Sequence, residues 1–77
     1  MLLQVVLDIM KRHANHAGVV QSACGALWAM SSNAANRATV IARGGVAAAR
    51  DAKRNHPGNA GVQTNADRLL AIVALLQ

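Results

Sequence analysis

The chain lacks phenylalanine, tyrosine and glutamate, and it holds one cysteine, one proline and one aromatic residue among its 77 residues. The single cysteine, Cys24, excludes an intramolecular disulfide and fits a reducing compartment, which is cytoplasmic or nuclear. Neither the apolar start of the chain nor the apolar stretch at residues 69–76 is long enough to span a bilayer. Because Phe and Tyr are absent, core volume has to come from Leu, Ile, Val, Met and Trp28.

Titratable residues are also scarce, because eight Lys and Arg stand against three Asp and only 14% of the chain is charged. An enzyme needs convergent acid and base groups, and a metal site needs closely spaced ligands. The histidines and Cys24 show neither the Cys-x-x-Cys nor the His-Glu-x-x-His spacing. We therefore predict a protein that is not an enzyme, with no catalytic residue, no metal site and no cofactor.

Apolar residues, by contrast, make up 53% of the sequence, and many of them are alanine. This fraction is too high for a disordered chain and higher than a monomer of this size can easily bury. We therefore expect some apolar surface that another molecule covers. The net charge of +5 is scattered along the chain, which indicates solubility more than a nucleic-acid partner.

Apolar residues recur at spacings of three and four and never alternate with a period of two, which predicts an all-α fold. Asn36 is the expected N-cap of the third helix. One glycine of the pair Gly44-Gly45 is expected to adopt the left-handed conformation after that helix. The five predicted helices span residues 2–12, 19–32, 36–43, 46–54 and 59–76.

Each of the first two helices is expected to bury one stripe of residues. Gly25 is costly inside a helix, so it predicts the close approach of a neighbouring helix. The last helix is apolar nearly all round in its second half, which is typical of a buried helix. The predicted stripes are Leu2, Leu3, Val6, Ile9 and Met10, broadened by Val5 and Leu7, in the first helix, and Val19, Val20, Ala23, Leu27 and either Met30 or Ser31 in the second.

The sequence resembles itself at a shift of 43 residues, which aligns Leu27 with Leu70 and the segment HANHAGV with HPGNAGV. A shift of 42 competes, because it aligns Lys11-Arg12 with Lys53-Arg54. We prefer 43, since it aligns the loop and the core faces together. Either period lies in the range of armadillo and HEAT repeats.

Residues 18–45, which read GVVQSACGALWAMSSNAANRATVIARGG, resemble armadillo repeats. Such repeats contain a similar Val-Gln-x-x-Ala-Cys-Gly-Ala-Leu-Trp segment, an Asn-rich turn and a short helix ending in Gly-Gly. The resemblance implies an α-α superhelix in which each unit has a short first, a second and a long third helix. It divides the chain into a partial repeat over 1–33 and a full repeat over 34–77, with second helices at 1–13 and 45–55, third helices at 17–33 and 58–76, and a first helix at 36–43.

The resemblance also implies a scaffold whose third helices line a groove that binds extended peptides or proteins. Family members that bind basic localisation signals carry Trp and Asn four residues apart, whereas Ser32 follows Trp28 here, so such a signal is not the expected partner. Trp28 is expected to pack between adjacent third helices, with an exposed binding anchor as the alternative. The candidate partner-binding residues are Trp28, Gln21, Gly25, Ser32, Asn33, Asn65 and Arg68.

Apolar segments at both ends of the chain predict a homo-oligomer, most simply a symmetric dimer. They also indicate a segment excised or engineered from a longer repeat array. The alternative function is a basic helical module that binds nucleic acid or an acidic peptide. The candidate self-association residues are Leu2, Leu3, Val6, Leu69, Ile72, Val73 and Leu76.

Overall fold

The computed structural model describes residues 2–74, and within this range it contains five α-helices and no strand. The all-α prediction is confirmed. Each predicted helix is present, and the ends that lie within the described residues differ from the prediction by at most two positions. The helices are α1 (Leu2–Arg12), α2 (Ala17–Ser31), α3 (Ala34–Ala42), α4 (Gly45–Asn55) and α5 (Ala60–Ala74).

Side chains just ahead of α2 and α3 determine where these helices begin. His16 Nδ1 accepts a hydrogen bond from the backbone N–H of Val19 at 3.3 Å, so α2 starts earlier than predicted. Asn33 Oδ1 accepts from the N–H groups of Ala35 and Asn36 at 2.9 and 3.3 Å. The prediction of Asn36 as the N-cap was therefore wrong, because Asn33 satisfies the free donors of the first turn.

Two glycines with different roles join α3 to α4. Gly44 has a φ of +92°, which confirms the predicted left-handed glycine. Gly45 is buried, and a Cβ added there would overlap the Val40 side chain and lie 2.8 Å from the Val40 carbonyl oxygen. Gly45 therefore allows α4 to begin in close contact with α3.

Helices α2 and α5 pack side by side and form the largest interface of the structure. Gly25 faces Asn65 and, one turn later, Trp28 faces Arg68, so the two helices run parallel. Helix α1 packs on α2, helix α4 packs on α5, and α3 links the two pairs. We call α1 with α2 the first unit and α4 with α5 the second unit.

Leucine and valine side chains fill the space between the two units. Leu27 and Leu69 are each fully buried and are the largest such side chains. Helix α4 contributes only small residues to this core. The buried apolar residues are Leu3, Val6, Leu7, Met10, Val20, Ala23, Cys24, Leu27, Val40, Ala49, Ala52, Val62, Ala66, Leu69 and Val73.

The predicted stripes were wrong at several positions. Leu2 and Ile9 are exposed, because α1 turns the face that carries Leu3, Val6, Leu7 and Met10 toward α2. In α2 the structure selects Ser31 from the two predicted alternatives, because Ser31 is buried and Met30 is half-buried, whereas Val19 of the predicted stripe is only half-buried.

Helix bounds and buried positions repeat at two different shifts. The first described residues of α1 and α4 are 43 residues apart, and so are the first residues of α2 and α5. Buried positions instead coincide at a shift of 42, which pairs Leu27 with Leu69 and Val20 with Val62. The expectation that core faces align at 43 was therefore wrong, since one residue turns a helix face by about 100°.

Candidate functional site

One surface of the molecule combines residues from both parallel helices. We call it the α2–α5 seam. Because α2 and α5 run in the same direction, side chains of one helix meet those of the other in successive rows. The seam brings together five of the predicted partner-binding residues, which are Gln21, Gly25, Trp28, Asn65 and Arg68.

The aromatic residue of the seam is stacked against a cation. The Arg68 guanidinium carbon lies 5.0 Å from the centroid of the Trp28 ring, a distance at which a cation is attracted to the ring face. Trp28 nevertheless remains 36% exposed. Trp28 therefore contacts the neighbouring helix, as predicted, and also stays accessible, as in the alternative.

Asn65 ties the two helices of the seam together. Its Nδ2 donates a hydrogen bond to the backbone carbonyl oxygen of Gln21 at 2.9 Å. Gly25 leaves room for this amide, because a Cβ at Gly25 would lie 3.3 Å from Asn65 Nδ2. The predicted close approach at Gly25 is thus confirmed. The Gln21 side chain is exposed and covers Gly61, where a Cβ would overlap it.

Ser32 and Asn33 form the turn after α2 rather than a free part of the seam. Ser32 Oγ donates to the Trp28 carbonyl oxygen at 3.4 Å, and Asn33 caps α3. Arg37 Nε donates to the Ser31 carbonyl oxygen at 2.8 Å and holds the same turn from the other side. Ser32 and Asn33 are exposed at the end of the seam, and their role in binding a partner stays a prediction.

Sequence reasoning selected Trp28 and Arg68 separately and missed that they form a pair. The signal was a common spacing, because Gly25 and Asn65 are 40 residues apart and so are Trp28 and Arg68. Residues 40 apart are in contact only because of how far α5 is shifted along α2 when the two helices pack. No local sequence pattern encodes that shift.

Four of the predicted self-association residues are buried. Helix α1 turns two of them inward and α5 turns two more, so the expectation that these four form exposed apolar surface was wrong. Ile72 is half-buried, and Leu76 lies outside the described residues. Leu2 alone in the set is strongly exposed, at 68%. The four buried residues are Leu3, Val6, Leu69 and Val73.

The outer side of the first unit is apolar, and we call it the apolar end. Leu2, Val5 and Ile9 form a stripe along α1 and are 68%, 51% and 37% exposed. A groove of about 390 Å³ lies beside the stripe, between α1 and α2. Its lining residues are Val6, Ile9, His16, Gly18, Val19, Ser22 and Ala23.

The outer side of the second unit is charged, and we call it the charged end. An ion pair between Lys53 and Asp67 joins α4 to α5 there, whereas Arg54 pairs with Asp51 on the side of α4 that is turned toward the first unit. Gln63 Nε2 also donates to the Lys53 carbonyl oxygen at 3.0 Å. The predicted second apolar end comprises residues 69–77, of which 75–77 lie outside the described residues, so it stays a prediction.

A second concavity, which we call the α1–α4 cleft, lies between the two units. It has a volume of about 460 Å³. Leu7 and Met10 of α1 line one side, and Ala47 and Asp51 of α4 line the other. The cleft therefore shows which side of α4 is turned toward the first unit.

Cys24 is fully buried, and this burial raises the pKa of its thiol to about 11. The thiol is therefore protonated and unreactive at neutral pH. Among residues 2–74, no three His, Cys, Asp or Glu side chains are grouped so that they could hold a metal ion. Over the same range, no helix combines the length and the apolar character needed to cross a membrane.

Comparison with known proteins gives one similarity. The chain is similar to Protein aardvark of Dictyostelium discoideum, with 32% identity over 81 residues that include 94% of this chain. The chain spans 11% of the length of that protein. No protein-family model and no solved structure matches the chain.

Proposed function

We propose that the chain is a non-catalytic protein-binding module of armadillo-type helical repeats, and that a polypeptide partner binds along the α2–α5 seam. The observation that carries this proposal is the pair of Trp28 and Arg68, which stack at 5.0 Å between two parallel helices. Trp and Arg are the residue types that most often dominate the binding energy of protein interfaces. Here they stand side by side on an accessible surface.

The order and lengths of the helices support the armadillo assignment. Helices α2 and α5 are the longest, with 15 residues each, and they are the two that run parallel in contact. Helix α3 is the shortest, with 9 residues. In an armadillo repeat α2 and α5 would be third helices, α1 and α4 second helices, and α3 the first helix of the second repeat. The seam would then be the floor of the groove.

The chemistry of the seam favours an extended partner with carboxylate or carbonyl oxygens. Arg68 offers guanidinium donors, and the chain carries a net charge of +5. Packed helices lie about 8–10 Å apart, and an extended chain advances about 3.3 Å per residue. About three residues of a partner would therefore reach from α2 to α5. Because the lone thiol is buried and reduced, we place this module in the cytoplasm or nucleus.

Selection from a peptide library displayed on phage tests the proposal without a known partner. We expect enriched peptides whose affinity, measured by fluorescence polarisation, falls at least about tenfold in Trp28→Ala and in Arg68→Ala. Arg50→Ala is the matched control, because Arg50 is an exposed arginine of α4. Peptides that bind all three variants equally well would contradict binding at the seam.

Salt dependence separates this proposal from the basic-module alternative, in which the chain binds nucleic acid. Phosphate contacts lose affinity steeply as salt rises, because bound counterions are released. A labelled oligonucleotide is therefore expected to bind weakly at physiological salt. Tight oligonucleotide binding under those conditions, unchanged in Trp28→Ala, would favour the alternative.

A further inference from the structure

We propose that the α1–α4 cleft binds a small amphipathic carboxylate, which is a molecule with an apolar chain and a carboxylate head. The observation behind it is a concavity of about 460 Å³ that combines an apolar floor with the cationic side chains of Lys11 and Arg43. This goes beyond the proposed function, because the cleft lies between α1 and α4 and uses none of the residues of the α2–α5 seam.

The cleft runs along two helices that point in the same direction. From α1 it is lined by Gln4, Leu7 and Lys11, whose spacings of three and four place them in one row. His56 Nε2 donates a hydrogen bond to the Ala14 carbonyl oxygen at 2.7 Å. Because Ala14 follows α1 and His56 follows α4, this bond holds the C-terminal ends of the two helices together and marks one end of the cleft.

The floor of the cleft is apolar. Leu7 and Met10 of α1 and Val20 of α2 are buried and line it, and Ala48 and Ala52 line the α4 side. The apolar residues that α4 contributes are small, so they leave space beside α1. An apolar wall with a few polar groups and a volume of about 300–1,000 Å³ is typical of sites for small molecules. An apolar chain placed in the cleft leaves water, which favours binding.

The charges around the cleft favour an anion. Asp51 lines the cleft but is ion-paired with Arg54, so its carboxylate is already compensated. Lys11 and Arg43 line the cleft and are exposed, and neither forms an ion pair with any described residue. Two uncompensated cations beside an apolar floor match a ligand with a negative head and an apolar body.

Arg43 is the expected partner of the carboxylate. It lies in the turn before α4, and the 11 residues of that helix separate it by about 16 Å from the end at which Ala14 and His56 meet. Lys11 is three residues before Ala14 and lies near that far end. A guanidinium group offers two parallel donors that fit a carboxylate, whereas an ammonium group is a point charge. The apolar chain of the ligand then extends from Arg43 along α1 past Leu7.

A further repeat unit would not fill this cleft, because the cleft lies between two units that already contact each other. At the shift of 42, Ala47 and Asp51 of the cleft correspond to Val5 and Ile9 of α1. A unit packed before the first one would therefore cover Val5 and Ile9 at the apolar end, and not the side of α1 that lines the cleft. The cleft thus stays accessible to a ligand when the two units are part of a longer array.

Octanoate is the probe that tests the site, with 1-octanol as its uncharged counterpart. Ligands of this size in an open cleft bind with dissociation constants on the order of 1 mM. In NMR titrations of the ¹⁵N-labelled protein to about 3 mM probe, we expect the amide shifts of Gly44 and Ala47 to change, and those of Trp28 and Arg68 to stay nearly constant. An absence of shift changes would overturn the proposal, as would changes confined to Val19 and the groove of the apolar end.

Arg43→Gln tests the role of the cation. It is expected to weaken octanoate binding by about three- to fivefold and to leave 1-octanol binding unchanged, because only octanoate carries the charge. Arg50→Gln is the matched control, since Arg50 is an exposed arginine of α4 that does not line the cleft. Equal losses in the two variants would overturn the assignment of the carboxylate to Arg43.

Ala47→Leu tests the apolar floor by filling the cleft from the side of α4. Ala47 is exposed, and leucine is a good helix former, so the circular dichroism spectrum is expected to stay unchanged. Binding of octanoate and of 1-octanol is expected to fall at least about tenfold. Ala71→Leu, at an exposed position of α5 outside the cleft, is the control and should bind both probes like the wild type. Wild-type affinity in Ala47→Leu would refute the proposal.

Discussion

The first and second units each consist of a shorter helix followed by a longer one, yet the residues on these helices differ. Helix α1 buries Leu3, Val6, Leu7 and Met10, whereas the buried positions of α4 are Gly45, Ala49 and Ala52. The second unit therefore relies on α5 for most of its apolar contact. The exposed surfaces of the two helices also differ. Helix α1 exposes an apolar stripe, whereas α4 carries charged residues that form ion pairs.

This comparison shows that one set of residues determines where the helices begin and end, and that another set determines the chemistry of the outer surfaces. The helix bounds follow from caps and turns, such as Asn33 ahead of α3 and the left-handed Gly44 ahead of α4. The surfaces follow from which side of each helix carries large apolar residues. The same arrangement of helices can therefore carry either an apolar outer surface, which favours packing against a neighbour, or a charged outer surface, which favours contact with water.

The largest expected effect concerns the leucine that both units bury at equivalent positions. We expect Leu27→Ala and Leu69→Ala each to lower the free energy of unfolding by about 2–5 kcal/mol, because both side chains are fully enclosed. Urea denaturation followed by circular dichroism measures the loss. Leu2→Ala is the control and is expected to change stability by less than about 0.5 kcal/mol. A much smaller loss in Leu69→Ala than in Leu27→Ala would show that the two units do not share one core.

A smaller effect on stability is expected from Cys24, through its titration. Its equivalent at the shift of 42, Ala66, is also buried but does not titrate. Burial raises the pKa of Cys24 from 9.0 to about 11, so the unfolded chain loses this proton at lower pH than the folded chain. Stability is then fully present below about pH 9 and falls as pH rises through 11, by about 2–3 kcal/mol in total. Urea denaturation between pH 8 and 11 measures this loss, and Cys24→Ala should lack it. An identical pH dependence in both proteins would contradict the assignment to Cys24.

The helices were predictable because their signals are local. Apolar residues recur at spacings of three and four along the helices, and Gly25 and Gly44 each indicated a constraint that the structure contains. The N-cap of α3 was predicted wrongly at Asn36, which lies within the helix. The hydrogen bonds that Asn33 accepts from Ala35 and Asn36 identify Asn33 as the cap.

The faces of the helices were only partly predictable. The second half of α5 is apolar nearly all round, so the sequence could not show that Leu69 and Val73 point inward. The repeat at a shift of 43 matches the first residues of the helices but not the buried positions. The buried positions of the two units coincide at a shift of 42, one residue less. For the same reason the contact of Trp28 with Arg68 could not be predicted, although each residue was selected.

The smallest expected effect concerns Ser31, which is equivalent to Val73 at the shift of 42. Ser31 is fully buried, and its Oγ has no hydrogen-bond partner among the described residues. Ser31→Ala removes an unpaired polar group and is expected to raise the free energy of unfolding by about 1 kcal/mol. Urea denaturation of Ser31→Ala measures this gain, and Ser22→Ala, at an exposed site of the same helix, is the control for helix propensity. If Ser31→Ala instead lowered stability, the hydroxyl would have to donate to a carbonyl oxygen of the preceding turn. The first unit would then hold its helix with a polar contact where the second unit uses apolar packing alone.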